Sequence, residues 1–274
     1  MRLAVVVTTY NHPDALAAVL DGYAAQATRD FELIVADDGS TGETRALIED
    51  FARHAPFVLR HVWQDDRGFR AAAARNRALA ATSADYVIFS DGDCIPPPTF
   101  VSRHEALAEP GFFLAGSRIL LSEAFTARVL RERLPVHAWS NQQWFGAWLK
   151  RDVNRMLPLV SLPDGAFRKR TPQRWEGVKT CNLSAWRADL LRVNGLDESY
   201  SGWGLEDSDL VVRLLHAGIR HKSARLAAPV FHLWHREQDR RFLPANRRRL
   251  EDILHSQRIE AVAGVNQYLG VCRP

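Results

Sequence analysis

Apolar and polar positions divide the chain into two unlike stretches. Over the first hundred residues, short apolar runs alternate with longer segments whose apolar residues recur every three or four positions. Leu3-Ala4-Val5-Val6-Val7 is continuous and largely β-branched, the pattern of a strand covered on both faces. Pro13 and Asp14 then open a helix carrying Leu16, Val19, Leu20 and Tyr23 at helical spacing. A second strand over residues 31–36 runs into Asp37-Asp38-Gly39-Ser40, and Leu47, Ile48 and Phe51 mark the helix after it. Residues 58–62 predict a third strand, 70–81 an alanine-rich helix, and 86–89 a fourth strand that ends at Asp91-Gly92-Asp93. Strand–helix alternation with a polar cluster after each strand predicts an α/β fold on a mostly parallel central sheet flanked by helices. Ligands of such sheets bind beyond the carboxyl ends of the strands.

After Asp93 the rhythm changes. Pro96-Pro97-Pro98 stops the alternation, and residues 123–156 read as helix broken at Pro135, with Trp139, Trp144 and Trp148 on its second part. Residues 157–175, rich in Pro, Gly and basic side chains, read as a flexible loop. A helix over 206–217 is ended by Gly218, and a strand is expected over 227–231. Past Arg236, Arg240-Arg241 and Arg247-Arg248-Arg249 precede an amphipathic pattern of Leu250, Ile253, Leu254, Ile259 and Val262. The organisation expected is one domain in two halves, 1–110 and 111–235, followed by a basic helical tail, 236–274.

Composition narrows the classes. With 46% hydrophobic and 25% charged residues over 274 positions, the chain is neither disordered, collagen-like nor low-complexity. Charge is uneven: residues 1–100 hold 9 Lys and Arg against 14 Asp and Glu, and the remainder holds 27 against 18. An acidic half suits metal-bound ligands. The basic half comes without a helix-turn-helix, zinc finger or RNP-type motif, so nucleic acid is not the expected partner. Cys94, Cys181 and Cys272 are odd in number and widely spaced, which gives no disulfide framework and fits a reducing compartment. No apolar stretch reaches the ~20 residues of a spanning helix. A cytoplasmic protein is expected. Its tail reads either as a helix packed on the domain or as a dock on the anionic inner face of the cell membrane, aided by the three tryptophans.

Three constellations carry chemistry. In Asp91-Gly92-Asp93, one carboxylate can grip a divalent cation while its neighbour accepts from a sugar hydroxyl. In Gly202-Trp203-Gly204-Leu205-Glu206-Asp207-Ser208-Asp209, the glycines let the backbone present an indole face beside acidic residues in a helix's first turn. The third set is Thr9-Tyr10-Asn11, Asp37-Asp38-Gly39-Ser40 and the segment from Gln64 to Asn76, each following a predicted strand. An aromatic ring, a carboxylate and an arginine converging on one sheet edge suit a nucleotide. Neither a Gly-x-Gly-x-x-Gly fingerprint nor a Walker loop is present.

Together these segments resemble the GT-A glycosyltransferases of the family 2 class, over about residues 1–110 and 176–236. The Gly-Trp-Gly-x-Glu-Asp segment also resembles that of beta-1,4-galactosyltransferases, polypeptide N-acetylgalactosaminyltransferases and chondroitin polymerase domains. The resemblance implies a GT-A fold with a C-terminal helical tail, and an inverting, metal-dependent transferase that uses a UDP-sugar and Mn²⁺ or Mg²⁺. The acceptor implied is a hydroxyl of a glycan or lipid-linked saccharide, in polysaccharide or lipopolysaccharide assembly. By position, Thr9, Tyr10, Asn11 and Asp38 would hold the nucleobase end, with Arg70 at the base or diphosphate. Asp91 would contact ribose or sugar, and Asp93 the metal. Asn182, Trp203 and Gly204 would border the sugars, Glu206 would bond a donor hydroxyl, and Asp207 would be the base. The family often adds a histidine to the metal; His232 is the first choice and His235 the reserve. A metal-dependent nucleotidyltransferase and a non-catalytic nucleotide-sugar-binding module remain as alternatives.

Overall fold

The continuous apolar run at the N-terminus forms a strand because both its faces are covered. In a computed structural model that describes residues 1–236 and 239–270, β1 (Leu3–Thr9) lies in the middle of a sheet. Alternate residues of β1 enter different cores. Val5 and Val7 pack with Leu16, Val19 and Leu20 of α1 (Pro13–Ala24), whereas Val6 packs with the alanines of α3 (Ala71–Ala81) on the other face. Small side chains let α3 lie close to the sheet: Ala72, Ala74 and Ala78 are all buried.

The intervening elements are β2 (Glu32–Asp37), α2 (Gly42–Ala52), β3 (Val58–Trp63) and β4 (Tyr86–Asp91). Next come β5 (Cys94–Ile95), α4 (Phe100–Leu107), β6 (Phe112–Ala115), β7 (Ser117–Leu120), α5 (Glu123–Glu132) and α6 (Asn141–Leu149). The described chain closes with β8 (Asn182–Trp186), α7 (Arg187–Arg192), α8 (Glu206–His216), β9 (Arg220–Ser223), β10 (Pro229–His232) and α9 (Leu243–Leu254). The seven-stranded sheet has the order β3-β2-β1-β4-β8-β6-β9. It is parallel except at β8, which runs antiparallel to both β4 and β6. A separate three-stranded sheet, β5-β10-β7, stands beside it.

A buried polar chain ties the two sheets together. Tyr86 Oη is 2.9 Å from Ser184 Oγ, which is 2.7 Å from His104 Nδ1, and His104 Nε2 is 3.1 Å from Asn182 Oδ1. Asn182 Nδ2 donates to the carbonyls of Ser117 and Ala228. Because the Asn182 amide donates there, its oxygen accepts from His104 Nε2–H, and Nδ1 accepts from Ser184. Desolvation holds the His104 pKa down at about 4, from 6.5. The unfolded chain therefore binds the extra proton as pH falls from 6.5 towards 4, and this histidine's contribution, roughly 3 kcal/mol, is lost over that window. Urea unfolding at pH 7 and pH 4.5 is expected to show the loss. A His104→Gln variant starts less stable and loses less on acidification.

Several expectations change here. Residues 157–175 are pinned rather than loose. The buried Arg168 guanidinium donates to the carbonyls of Leu162, Pro163, Ser223 and Arg225. Trp144 is 1% exposed and stacks on Phe231 at 4.2 Å, and Trp139 is half-buried beside it, so of the three tryptophans only Trp148 is open to a membrane. In the tail, Leu250 and Ile253 are buried against Val212 of α8, and the Ala261 and Val265 amides donate to the carbonyls of Val193 and Asn194. Those tail positions are used within the fold. Cys272 lies outside the described residues. Among the described residues no helix is long and apolar enough to cross a membrane.

Candidate active site

Parallel register brings the strand-end clusters to one edge. Thr9 pairs with Asp37 and Thr8 with Asp91, so the polar residues after β1, β2 and β4 share a level. The Asp38 amide donates to Thr9 O and the Gly92 amide to Thr8 O. A Cβ at position 92 would stand 2.9 Å from Thr9 Oγ1 and 3.1 Å from Thr8 O, so only glycine allows the chain to pass between the two aspartates.

At the outer end of this edge, Tyr10 is half exposed and donates to Asp66 Oδ2 at 2.9 Å. Asn11, at φ 45°, donates its amide to Ser40 Oγ and accepts from the Thr41 amide, which locks the β1 loop to the β2 loop. Asp38 is buried. Its carboxylate accepts from Gln64 Nε2 and from the Arg70 amide, both at 2.6 Å, while burial pushes its pKa up. Thr9 Oγ1 is buried without a hydrogen-bond partner among the described residues.

The inner end is a buried charge cluster. Arg75, on the sheet-facing side of α3, is 4% exposed. Its Nη2 donates to Asp91 Oδ1 at 2.8 Å and its Nη1 lies 3.6 Å from Glu206 Oε1. Asp207 follows in the first turn of α8, with Lys179 Nζ 3.3 Å from Oδ2 and the Ser208 amide donating to Oδ1 at 2.7 Å. Burial, then the Asp207 charge, push Glu206 up to about 7 against the pull of Arg75. Glu206 is thus able to hold a proton near neutral pH. Glu206 Oε2 and Arg75 Nε have no hydrogen-bond partner among the described residues, so polar capacity remains for a ligand. A cavity of about 60 Å³ opens there between Ala71–Ala73 at the start of α3 and Tyr200, Gly202 and Glu206.

The turn that delivers these acids depends on left-handed backbone. Gly202, Gly204 and Leu205 have φ of 61°, 108° and 77°, and Asn246 of α9 donates to the carbonyls of Ser201 and Gly204. The tail therefore braces the Gly-Trp-Gly turn. Trp203 is half-buried, with the Arg240 guanidinium 5.6 Å from its ring centroid.

Asp93 faces two imidazoles. His235 Nε2 is 3.4 Å from Oδ2 and His232 Nε2 is 3.8 Å from Oδ1. Burial lowers the His232 pKa, favouring the neutral ring that binds metals. Both candidate histidines converge on the one carboxylate.

Asn182 is the exception among the sequence candidates. It is 2% exposed and its amide is consumed by His104, Ser117 and Ala228, so it supports the sheet junction rather than bordering a sugar. Arg75 and Lys179 were missed as site residues. The signal for Arg75 was a charged residue within Ala71-Ala72-Ala73-Ala74-Arg75-Asn76, where a buried helix face admits a charge only beside a partner. Its neighbour Asn76 binds both the amide and the carbonyl of Leu196, and Glu198, so α3 also anchors the loop leading to Trp203.

Residues 4–157 match the family model described as glycosyl transferase family 2, more than half of the chain. The chain belongs to that family. Residues 165–236 of this family 2 protein match a second model, described as the N-terminal domain of galactosyltransferase. It is 32% identical over 233 residues to the validoxylamine A glucosyltransferase of Streptomyces hygroscopicus subsp. jinggangensis, covering 79% of this chain and 52% of that one. It is 27% identical over 232 residues to the chondroitin synthase of Escherichia coli, covering 81% of this chain and 33% of that one. The chain thus spans about half and a third of the lengths of these relatives. Among solved structures, the mannosyltransferase of Pyrobaculum calidifontis, in complex with GDP-Man and Mn²⁺, aligns with a TM-score of 0.60 at 19% identity, over 90% of this chain and 60% of that one. That likeness establishes the GT-A fold of this family 2 chain.

Proposed function

We propose that the chain transfers a sugar from a UDP-sugar to a hydroxyl of a glycan or glycolipid acceptor, with inversion and with a divalent cation. The observation that carries this reading is the meeting of Asp91, Arg75, Glu206 and Asp207 at the carboxyl edge of the sheet, two residues along the chain from Asp93 and its two histidines. A scaffold has no use for so many buried carboxylates, and a nucleotidyltransferase leaves the Gly-Trp-Gly turn unexplained.

In this reading Tyr10 and Asp38 hold the nucleobase, Arg70 the base or diphosphate, and Asp91 the ribose or sugar. Glu206 bonds a donor hydroxyl. Asp207 accepts the acceptor's proton as the new bond forms on the face opposite the leaving diphosphate. Asp93 supplies the hard oxygen donor such a cation needs, so Asp93, with His232 and His235 beside it, would hold the cation, with Mn²⁺ fitting the nitrogen donors better than Mg²⁺. Bound there, it would neutralise charge developing on the diphosphate.

The test is a donor screen that measures nucleoside diphosphate release from UDP- and GDP-sugars with Mn²⁺ and then with EDTA. Release from one UDP-sugar, lost with EDTA, is expected. Pyrophosphate release would instead identify a nucleotidyltransferase. Asp93→Ala is expected to raise the Mn²⁺ concentration for half-maximal activity by ~10-fold or more, and His232→Ala and His235→Ala each by less, since each removes one donor. Unchanged Mn²⁺ dependence in Asp93→Ala rejects this site.

A further inference from the structure

The cluster around Asp93 contains a donor that a Mn²⁺ or Mg²⁺ site does not use. β5 and β10 pair antiparallel with Cys94 directly opposite His232. The Cys94 thiol points at Asp93 Oδ1 from 3.4 Å, and one ligand atom each from Asp93, Cys94 and His232 lie within 4.8 Å of one another. His235 Nε2 stands 3.4 Å from the other carboxylate oxygen. In a tetrahedral zinc site with bonds of about 2.0–2.3 Å, neighbouring donor atoms are about 3.3–3.6 Å apart. Cys94 and His232 stand 3.4 and 3.8 Å from the same Asp93 oxygen, close to that spacing, and His235 approaches the other oxygen of the carboxylate.

Ligand softness separates the cations. Mn²⁺ and Mg²⁺ favour oxygen donors and keep further positions for water or phosphate oxygen. Zn²⁺ takes thiolate readily and is satisfied by four protein donors, as in structural sites. Cys94 is wholly buried, and a thiol becomes a ligand only by giving up its proton, which a thiophilic ion displaces.

We propose that Asp93, Cys94, His232 and His235 form a second coordination mode for Zn²⁺ or another thiophilic cation, which closes the site to the donor diphosphate. This rests on the reading of Asp93 and its histidines as the divalent-cation site. The Cys94 S–H bond breaks, the proton passes to solvent, and a metal–sulfur bond forms without oxidation. The same carboxylate thus serves two ions with opposite outcomes: one leaves room for substrate, the other is enclosed by protein atoms.

Cobalt(II) is the probe, added to the full chain. Wild type is expected to show a near-ultraviolet sulfur-to-cobalt charge-transfer band and intense visible bands of tetrahedral cobalt. Cys94→Ser is expected to lack the charge-transfer band, and Cys181→Ser, altering the other free cysteine among the described residues, to keep it. At fixed Mn²⁺, Zn²⁺ is expected to inhibit nucleotide release from wild type, with roughly tenfold more needed for Cys94→Ser. Electron paramagnetic resonance of Mn²⁺ separates the two readings and reports the fold of the variant. If wild type binds Mn²⁺ but gives no thiolate band, or if the band survives in Cys94→Ser, the second mode is rejected alone. If wild type binds neither Mn²⁺ nor Co²⁺, the cation site falls with it.

Discussion

Asp207→Asn is expected to lower turnover by at least ~10²-fold while UDP-sugar binding stays near that of wild type, the signature of a lost general base. The amide keeps the shape of the carboxylate and can still accept from the Ser208 amide, so the first turn of α8 has no reason to move. What it cannot do is take a proton from the acceptor hydroxyl. Steady-state UDP release and calorimetry with the donor separate the two effects. Asp209 offers no substitute: it is fully buried, pairs with Arg213 at 2.6 Å and accepts from Tyr200. Near-normal turnover in Asp207→Asn therefore ends the assignment of a base to α8. The same variant carries a second expectation. Asp207 is one of the two causes that hold Glu206 up, so removing its charge should make the folded chain more heat-stable at pH 8, where Glu206 is otherwise forced towards ionisation. Lower activity with higher stability would mark a charge kept for chemistry.

Local pattern carried far in the N-terminal half because strand, helix and turn signals agreed at each step. The β-branched runs of β1 and β2 and the apolar spacing of α1 were legible from a few residues each. The edge positions of Tyr10, Asp38, Asp91 and Asp93 followed from strand ends alone, since parallel topology places those ends together. The C-terminal half was less readable for a physical reason. Four-residue strands such as β6, β7 and β9 hold too few residues for a period to show, and the antiparallel placement of β8 is decided by long-range pairing with β4. Residues 157–175 read as flexible because the anchor is a single arginine, Arg168. Its carbonyl acceptors include Ser223 and Arg225, more than fifty residues away. Asn182 was misread for the same kind of reason: an amide beside the cleft looks like a sugar ligand until its partners are known. The charge on Arg75 was visible, but not that two carboxylates from β4 and α8 would close on it.

Arg75→Met is expected to be the most destabilising single change in the site, costing about 3–5 kcal/mol at pH 8 by removing one partner of a buried charge cluster. Methionine fills a similar volume, so the loss is chiefly electrostatic: Asp91 and Glu206 are left facing each other and Asp207 without their shared cation. Their pKa values, already raised by burial, then rise further above those of the unfolded chain. In the folded state these groups hold protons that the unfolded chain has released, so stability falls as pH rises through the raised values and returns as pH falls below them. The deficit is therefore largest at pH 8 and should shrink at pH 5.5, where Glu206 is protonated. Adding Glu206→Gln to the variant should recover part of the loss at pH 8 and little at pH 5.5, a coupling that a double-mutant cycle measures. A loss of equal size at both pH values, insensitive to Glu206→Gln, would mean that Arg75 acts through the packing of its stem against α3 and the sheet, and the electrostatic account of the cluster would have to be abandoned.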